Sequence, residues 1–114
     1  VFDDSPLVLA MTRDALERAG FAVDVVETLD AFEALRTLAR PDLILVDVQM
    51  PEAFGDDVAA TLRGFRHVDT PIVLVSNLDR AELARRAEEA CADGWISKAD
   101  GVHELVRRVK ELLA

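Results

Sequence analysis

Apolar positions along the chain switch repeatedly between helical spacing and short extended runs, with no Ser/Gly-rich linker, repeat or low-complexity segment between them. Ser5-Pro6 reads as a helix N-cap and first helical position, with Leu9, Ala15, Leu16 and Ala19 on one face before Gly20 ends the helix. Phe21, Val23 and Val25 alternate as a short strand. A helix follows from Asp30 to Arg40 with Phe32, Leu35 and Leu38 on one side, and Pro41 closes it. Leu43-Ile44-Leu45-Val46 is a continuous apolar run, as a parallel strand buried on both faces requires, and it leads into Asp47. Pro71-Ile72-Val73-Leu74-Val75 is a second such run, leading into Ser76. Between them, Asp56 or Asp57 can cap a helix carrying Val58, Leu62 and Phe65. After Ser76 the spacing predicts a helix from about Arg80 to Cys91, then a strand at Gly94-Trp95-Ile96 that leads into Ser97-Lys98. Asp100 or Gly101 opens the last helix, with Val102, Leu105, Val106, Val109 and Leu113 facing inward.

The order βαβαβαβαβα implies an α/β fold, a parallel sheet with helices on both faces, because right-handed crossovers place them there. At 114 residues and 51% hydrophobic content the chain makes one domain, 1–114. Only Val1 and Phe2 precede the acid pair Asp3-Asp4, so the first strand reads as trimmed. Twenty-two acidic against 13 basic residues give a net charge of −9, which repels phosphate backbones and anionic lipid and argues against direct nucleic-acid binding. The single cysteine, Cys91, has no internal disulfide partner and reads as a small core residue ending its helix. With no secretory leader and no apolar run near the roughly 20 residues that cross a bilayer, the expected location is cytoplasmic, without membrane.

In a parallel sheet the polar residues that end these runs share one edge. Asp3-Asp4 ends strand 1, Asp47 strand 3 and Ser76 strand 4, and Lys98 follows strand 5. At about 5 Å and an effective dielectric near 20, each pair of carboxylates costs roughly 3 kcal/mol. Mg²⁺, a hard cation that takes one or two carboxylates plus phosphate oxygens, offsets such a cluster. Any one of these acids alone is more simply a helix cap or a solvated charge, but four strand ends converging on one place are hard to explain that way.

The motifs Phe2-Asp3-Asp4-Ser5-Pro6, Leu43-Ile44-Leu45-Val46-Asp47-Val48-Gln49-Met50-Pro51 with Gly55, Val73-Leu74-Val75-Ser76 and Gly94-Trp95-Ile96-Ser97-Lys98 resemble those of bacterial two-component response-regulator receivers. The separations agree: 43 positions from Asp4 to Asp47, 29 to Ser76 and 22 to Lys98. The resemblance spans the chain and implies a flavodoxin-like (βα)5 sheet of order 2-1-3-4-5, like that of a chemotaxis receiver. It implies that Asp47 accepts a phosphoryl group from the phosphohistidine of a sensor kinase or phosphotransfer protein. Asp4, Asp47 and the Gln49 carbonyl would ligate Mg²⁺ directly, and Asp3 would act through water. Lys98 would pair with Asp47 at rest and with a phosphoryl oxygen afterwards, and Ser76 would swing in to bind that group. Trp95 stands where the family carries an aromatic switch residue, although an ordinary core or surface tryptophan competes with that reading. The signal would leave through the fourth helix, fifth strand and fifth helix toward an unknown output domain or protein. The domain would be a phosphoacceptor, catalysing at most its own phosphorylation and dephosphorylation.

His103 reads as an ordinary residue of the last helix and His67 as a loop residue, while Glu52, Asp56 and Asp57 suit the N-terminus of the third helix. Asn77 and Ala99 depart from the family, which prefers a very small residue and a proline there. They are the warning signs of the rival reading, a degenerate receiver that serves as a phosphorylation-independent interaction module. A phosphatase with an aspartyl nucleophile needs an acid two positions after it, where Gln49 stands. A flavin site needs a phosphate cradle where Asp3-Asp4 would repel the phosphate.

Overall fold

The computed structural model describes residues 1–3, 5–38, 41–48 and 70–114. Among these residues three parallel strands, β1 (Ile44–Asp47), β2 (Ile72–Ser76) and β3 (Gly94–Ser97), pair in that order, with Val46 opposite Leu74 and Leu74 opposite Trp95. Around them run α1 (Pro6–Arg18), α2 (Leu29–Leu38), α3 (Arg80–Glu89), a 3₁₀ turn (Lys98–Asp100) and α4 (Val102–Leu112).

The sheet is covered on both faces, which explains why β1 and β2 are apolar without alternation. Ile44, Val46, Ile72 and Leu74 pack on one side with Phe32 of α2 and Leu83 and Ala87 of α3. Leu45, Val73, Val75 and Ile96 pack on the other with Leu16 of α1 and Leu105 and Val109 of α4. Every residue of β1 and β2 is buried. The loop into β3 is tied back to the sheet, since Asp93 accepts from the Ile72 N–H through Oδ2 at 2.8 Å and donates its own N–H to Ile72 O at 2.7 Å.

Helix ends follow local chemistry. Ser5 caps α1, its Oγ accepting from the Val8 N–H at 3.3 Å, with Pro6 at the first helical position. Asp79 caps α3 through the Glu82 N–H. At the C-terminus of α1, Gly20 takes φ +99°, its N–H donates to Glu17 O and the Phe21 N–H donates to Leu16 O. The same pair of bonds ends α3, from Cys91 N–H to Glu88 O and Ala92 N–H to Ala87 O, with Cys91 at φ +58°. Both are left-handed caps of the Schellman kind. The expectation that Cys91 is a core residue is therefore wrong. It is exposed, because the position closing a helix turns outward, and its place in the cap overrides the usual burial of cysteine.

Two other expectations change. Residues 21–25 form no strand; pairing is reduced to isolated parallel bridges from Phe2 to Val26 and Val46. Phe21 and Val23 nevertheless pack half-buried against the second cluster, so their alternation reports burial and not a ladder. Leu113 lies just past α4 and is 37% exposed instead of facing inward. The predicted helix with Val58, Leu62 and Phe65, its caps Asp56 and Asp57, Glu52 and His67 lie outside the described residues. Among the described residues no helix is long and apolar enough to cross a membrane.

Candidate functional site

Parallel strands end at one edge, so β1, β2 and β3 deliver Asp47, Ser76 and the Ser97-Lys98 step to the same side of the molecule. Phe2 joins them through its backbone: its N–H donates to Leu45 O at 2.7 Å and its carbonyl accepts from the Asp47 N–H at 2.8 Å. That pairing brings the next residue, Asp3, to the edge beside Asp47.

Among the described residues, three charges meet there. Lys98 Nζ lies 3.0 Å from Asp3 Oδ2 and 3.4 Å from Asp47 Oδ1. Both acids are nearly enclosed, Asp3 being 3% and Asp47 4% exposed, whereas the Lys98 side chain keeps 21%. Buried charges persist only when paired and hydrogen-bonded, and Asp3 has a second partner in the Ser5 N–H, which donates to its Oδ1 at 3.0 Å. The sequence reading pairs Lys98 with Asp47; the structure adds Asp3 as the nearer partner. Pairing of Asp3 with Lys98 is a link the sequence reading missed, although the strand-end pattern had placed both residues at this edge.

Two carboxylates sharing one ammonium give these three groups together a net charge of −1. Asp4 and Gln49, two of the four expected metal ligands, lie outside the described residues, and no group of three or more His, Cys, Asp or Glu gathers for a metal among those described. For Mg²⁺, the expected donors among the described residues are Asp3 and Asp47. Their hard oxygen donors and negative charge suit it.

Ser76 is fully buried at the end of β2, and its Oγ accepts from the Leu78 N–H at 3.1 Å, which folds the start of the next loop over it. Asn77 between them is exposed. Ser97, opposite Ser76 in the ladder, is also buried; its Oγ accepts from the Ala99 N–H at 3.3 Å and caps the 3₁₀ turn that starts at Lys98. This cap also escaped the sequence reading, which had only a serine before the turn to signal it. Trp95 is half-buried and packs against the cluster shared with α3, while its carbonyl accepts from Arg108 at 3.5 Å. His103 is exposed on α4. A cavity of about 300 Å³ lined by Val1, Phe21, Val23, Leu43 and Leu113 lies at the other end of the sheet and holds none of these groups.

The response regulator receiver domain family matches residues 1–110. The chain belongs to the response-regulator receiver family. The chain is 37% identical over 115 residues to the transcriptional regulatory protein PrrA of Mycobacterium leprae, covering 99% of this chain and 48% of that protein. It is 29% identical over 118 residues to the polar-differentiation response regulator DivK of Brucella anthropi, covering 99% and 93%. This receiver domain thus spans about half the length of PrrA and most of DivK. Among solved structures, the chemotaxis protein CheY4 of Vibrio cholerae superposes with a TM-score of 0.86 at 26% identity, covering 98% of this chain and 94% of that one.

Proposed function

We propose that the domain is a phosphoacceptor switch of two-component signalling, with Asp47 taking a phosphoryl group from a sensor histidine kinase or phosphotransfer protein in a Mg²⁺-dependent reaction. The observation that carries this reading is the Lys98 ammonium held between Asp3 and Asp47 at the C-terminal edge of the sheet. Membership of the receiver family supports the phosphoacceptor role. A carboxylate is a nucleophile that needs no deprotonation near neutral pH. The Asp47 oxygen bonds to phosphorus as the phosphorus–nitrogen bond to histidine breaks, and the histidine nitrogen keeps the electron pair. Asp3, Asp4, Asp47 and the Gln49 carbonyl are the residues to hold the metal, which supplies positive charge against the phosphoryl oxygens.

The chain's own groups divide the remaining work. Lys98 leaves its contact with Asp47 for a phosphoryl oxygen and keeps Asp3 as an anchor. The Ser76 hydroxyl donates to a phosphoryl oxygen and, through the Leu78 N–H that its Oγ accepts, draws the loop before α3 with it. Trp95 responds to that movement, and the change reaches the face of α3, β3 and α4, toward an output domain or protein. Phosphorylation selects between states that both exist beforehand. The two bridges of Phe2 support a five-stranded order 2-1-3-4-5 for the sheet, with residues near Val26 at one edge. The location is cytoplasmic, the net charge of −9 disfavours direct contact of this domain with nucleic acid, and catalysis is confined to its own phosphorylation and dephosphorylation.

Incubation with acetyl phosphate or phosphoramidate, with and without Mg²⁺, followed by intact-mass measurement, tests the proposal. One added phosphoryl group is expected, only with the metal, and none in Asp47→Asn. Labelling that persists in that variant would move the nucleophile elsewhere. No labelling of the parent would favour the phosphorylation-independent module.

A further inference from the structure

Lys98 does not stand on β3 but opens the three-residue 3₁₀ turn that follows it, so the position of its ammonium depends on how that turn is held. At its start the turn is capped by Ser97, and at its end the Gly101 N–H donates to Lys98 O at 3.2 Å, with Gly101 at φ +87°. The first of these bonds ties the turn to the end of β3 and the second closes it, but neither reaches across to the helix that follows Ser76. An ion pair does: the Arg80 guanidinium at the first turn of α3 meets Asp100, the last residue of the 3₁₀ turn, across 20 positions of sequence. Arg80 follows the loop that begins at Ser76, and Asp100 shares a turn with Lys98.

We infer that Arg80 and Asp100 are positioning residues for Lys98, tying the turn that carries it to the N-terminus of α3 and so to the loop that begins at Ser76. In a 3₁₀ turn the rise is about 2 Å per residue, so Asp100 sits about 4 Å along the axis from Lys98 and one cannot rotate without moving the other. A displacement of 1 Å in a charged group can cost a factor of about 100 in a positioned reaction. The pair is exposed, Arg80 59% and Asp100 30%, so its own strength is that of a surface ion pair. Its effect on Lys98 is then a shift in how often the turn is correctly placed, about three-fold at low salt, fading as salt screens it.

The inference rests on the phosphoacceptor reading for its consequence but not for its first test. The ¹H–¹³C resonances of the Lys98 side chain, observed in the whole domain without any phosphodonor, report its contacts with Asp3 and Asp47. Asp100→Asn and Arg80→Gln are expected to shift these resonances, and the charge-swapped pair Arg80→Asp/Asp100→Arg to restore them toward the parent's. A purely structural role for the pair would change stability and leave the resonances in place. Phosphorylation by acetyl phosphate should slow about three-fold in the single variants at low salt, approach the parent rate in 1 M salt, and recover in the swap. A parent that takes no phosphoryl group while the resonances shift would sink the phosphoacceptor reading and leave the tie standing. Unchanged Lys98 resonances in both single variants would overturn the tie whatever the labelling shows.

Discussion

Replacing Asp47 by asparagine keeps the shape of the side chain and removes one charge from the site, so the structure gives the sign of its effect on stability. Of the attractions lost, the ion pair with Lys98 Nζ at 3.4 Å is worth about 5 kcal/mol at an effective dielectric of 20. The repulsion relieved is that of Asp3. Both carboxylates contact one nitrogen, so these oxygens are no more than about 6.4 Å apart, and the relief is at least roughly 2.6 kcal/mol at the same dielectric. The desolvation of a carboxylate that is 4% exposed is relieved as well, by several kcal/mol. Lys98 is not orphaned, since Asp3 remains at 3.0 Å. The balance favours asparagine by about 1 kcal/mol without metal. With metal the order reverses. A cation that binds only the folded parent adds about 2.7 kcal/mol at 100 times its dissociation constant, and the variant, lacking one ligand, gains far less. Urea unfolding of both proteins, in chelator and in excess Mg²⁺, measures all four stabilities. A variant less stable than its parent in chelator would refute the reasoning, because it would mean that the attractions Asp47 makes, Lys98 among them, outweigh Asp3 and burial together.

Cys91→Gly should stabilise the domain by about 0.5 to 1 kcal/mol, the relief of a left-handed residue at φ +58° exceeding the entropy that glycine adds to the unfolded chain. Urea unfolding under reducing conditions checks it, and a destabilised variant would show that the thiol makes a compensating contact. Trp95 is the only tryptophan in a chain without tyrosine, so its emission should change when beryllofluoride and Mg²⁺ stand in for the phosphoryl group; an unchanged spectrum with demonstrated binding would leave it an ordinary core residue. Hydrogen bonds from Arg85 and then Arg86 hold the Glu82 carboxyl at about 2, below the usual carboxylate range. Because the folded value is the lower one, this contribution to stability is complete above the ordinary carboxylate range and is lost as pH falls toward 2. A carboxyl NMR titration should show a midpoint near 2 that rises when both arginines are replaced by alanine, and an ordinary midpoint in the parent would contradict the pairing.

What the sequence made legible divides by the range of the interaction that decides it. Strand cores and helix starts are local properties: Leu43 to Val46 reads as buried on both faces, and β1 is buried throughout; Ser5-Pro6 reads as a cap, and Ser5 caps α1. The alternation of Phe21, Val23 and Val25 correctly signals burial, but a ladder needs a partner, and the hydrogen bonds reaching residues 24 and 26 come from Val1 and Asp3 alone among the described residues. Cys91 is misread because residue type predicts average burial, whereas its position closing a helix decides this case.

The polar edge of the sheet was visible for a structural reason. In a parallel sheet each apolar run must stop at the same side, so the polar residues just after each run mark one place in space, and Asp47, Ser76 and the Ser97-Lys98 step can be gathered without knowing any distance. Which charge faces which is a different kind of information. Lys98 and Asp3 are 95 positions apart and Arg80 and Asp100 are 20 apart, and in a chain with 13 basic and 22 acidic residues many such pairings are compatible with the same apolar pattern. The pairings become determinate only when the turn after β3 is built, because that turn brings Lys98 between the two acids and sends Asp100 toward α3. Apolar periodicity therefore locates the polar edge of the sheet, and the backbone of one short turn determines how its charges are shared.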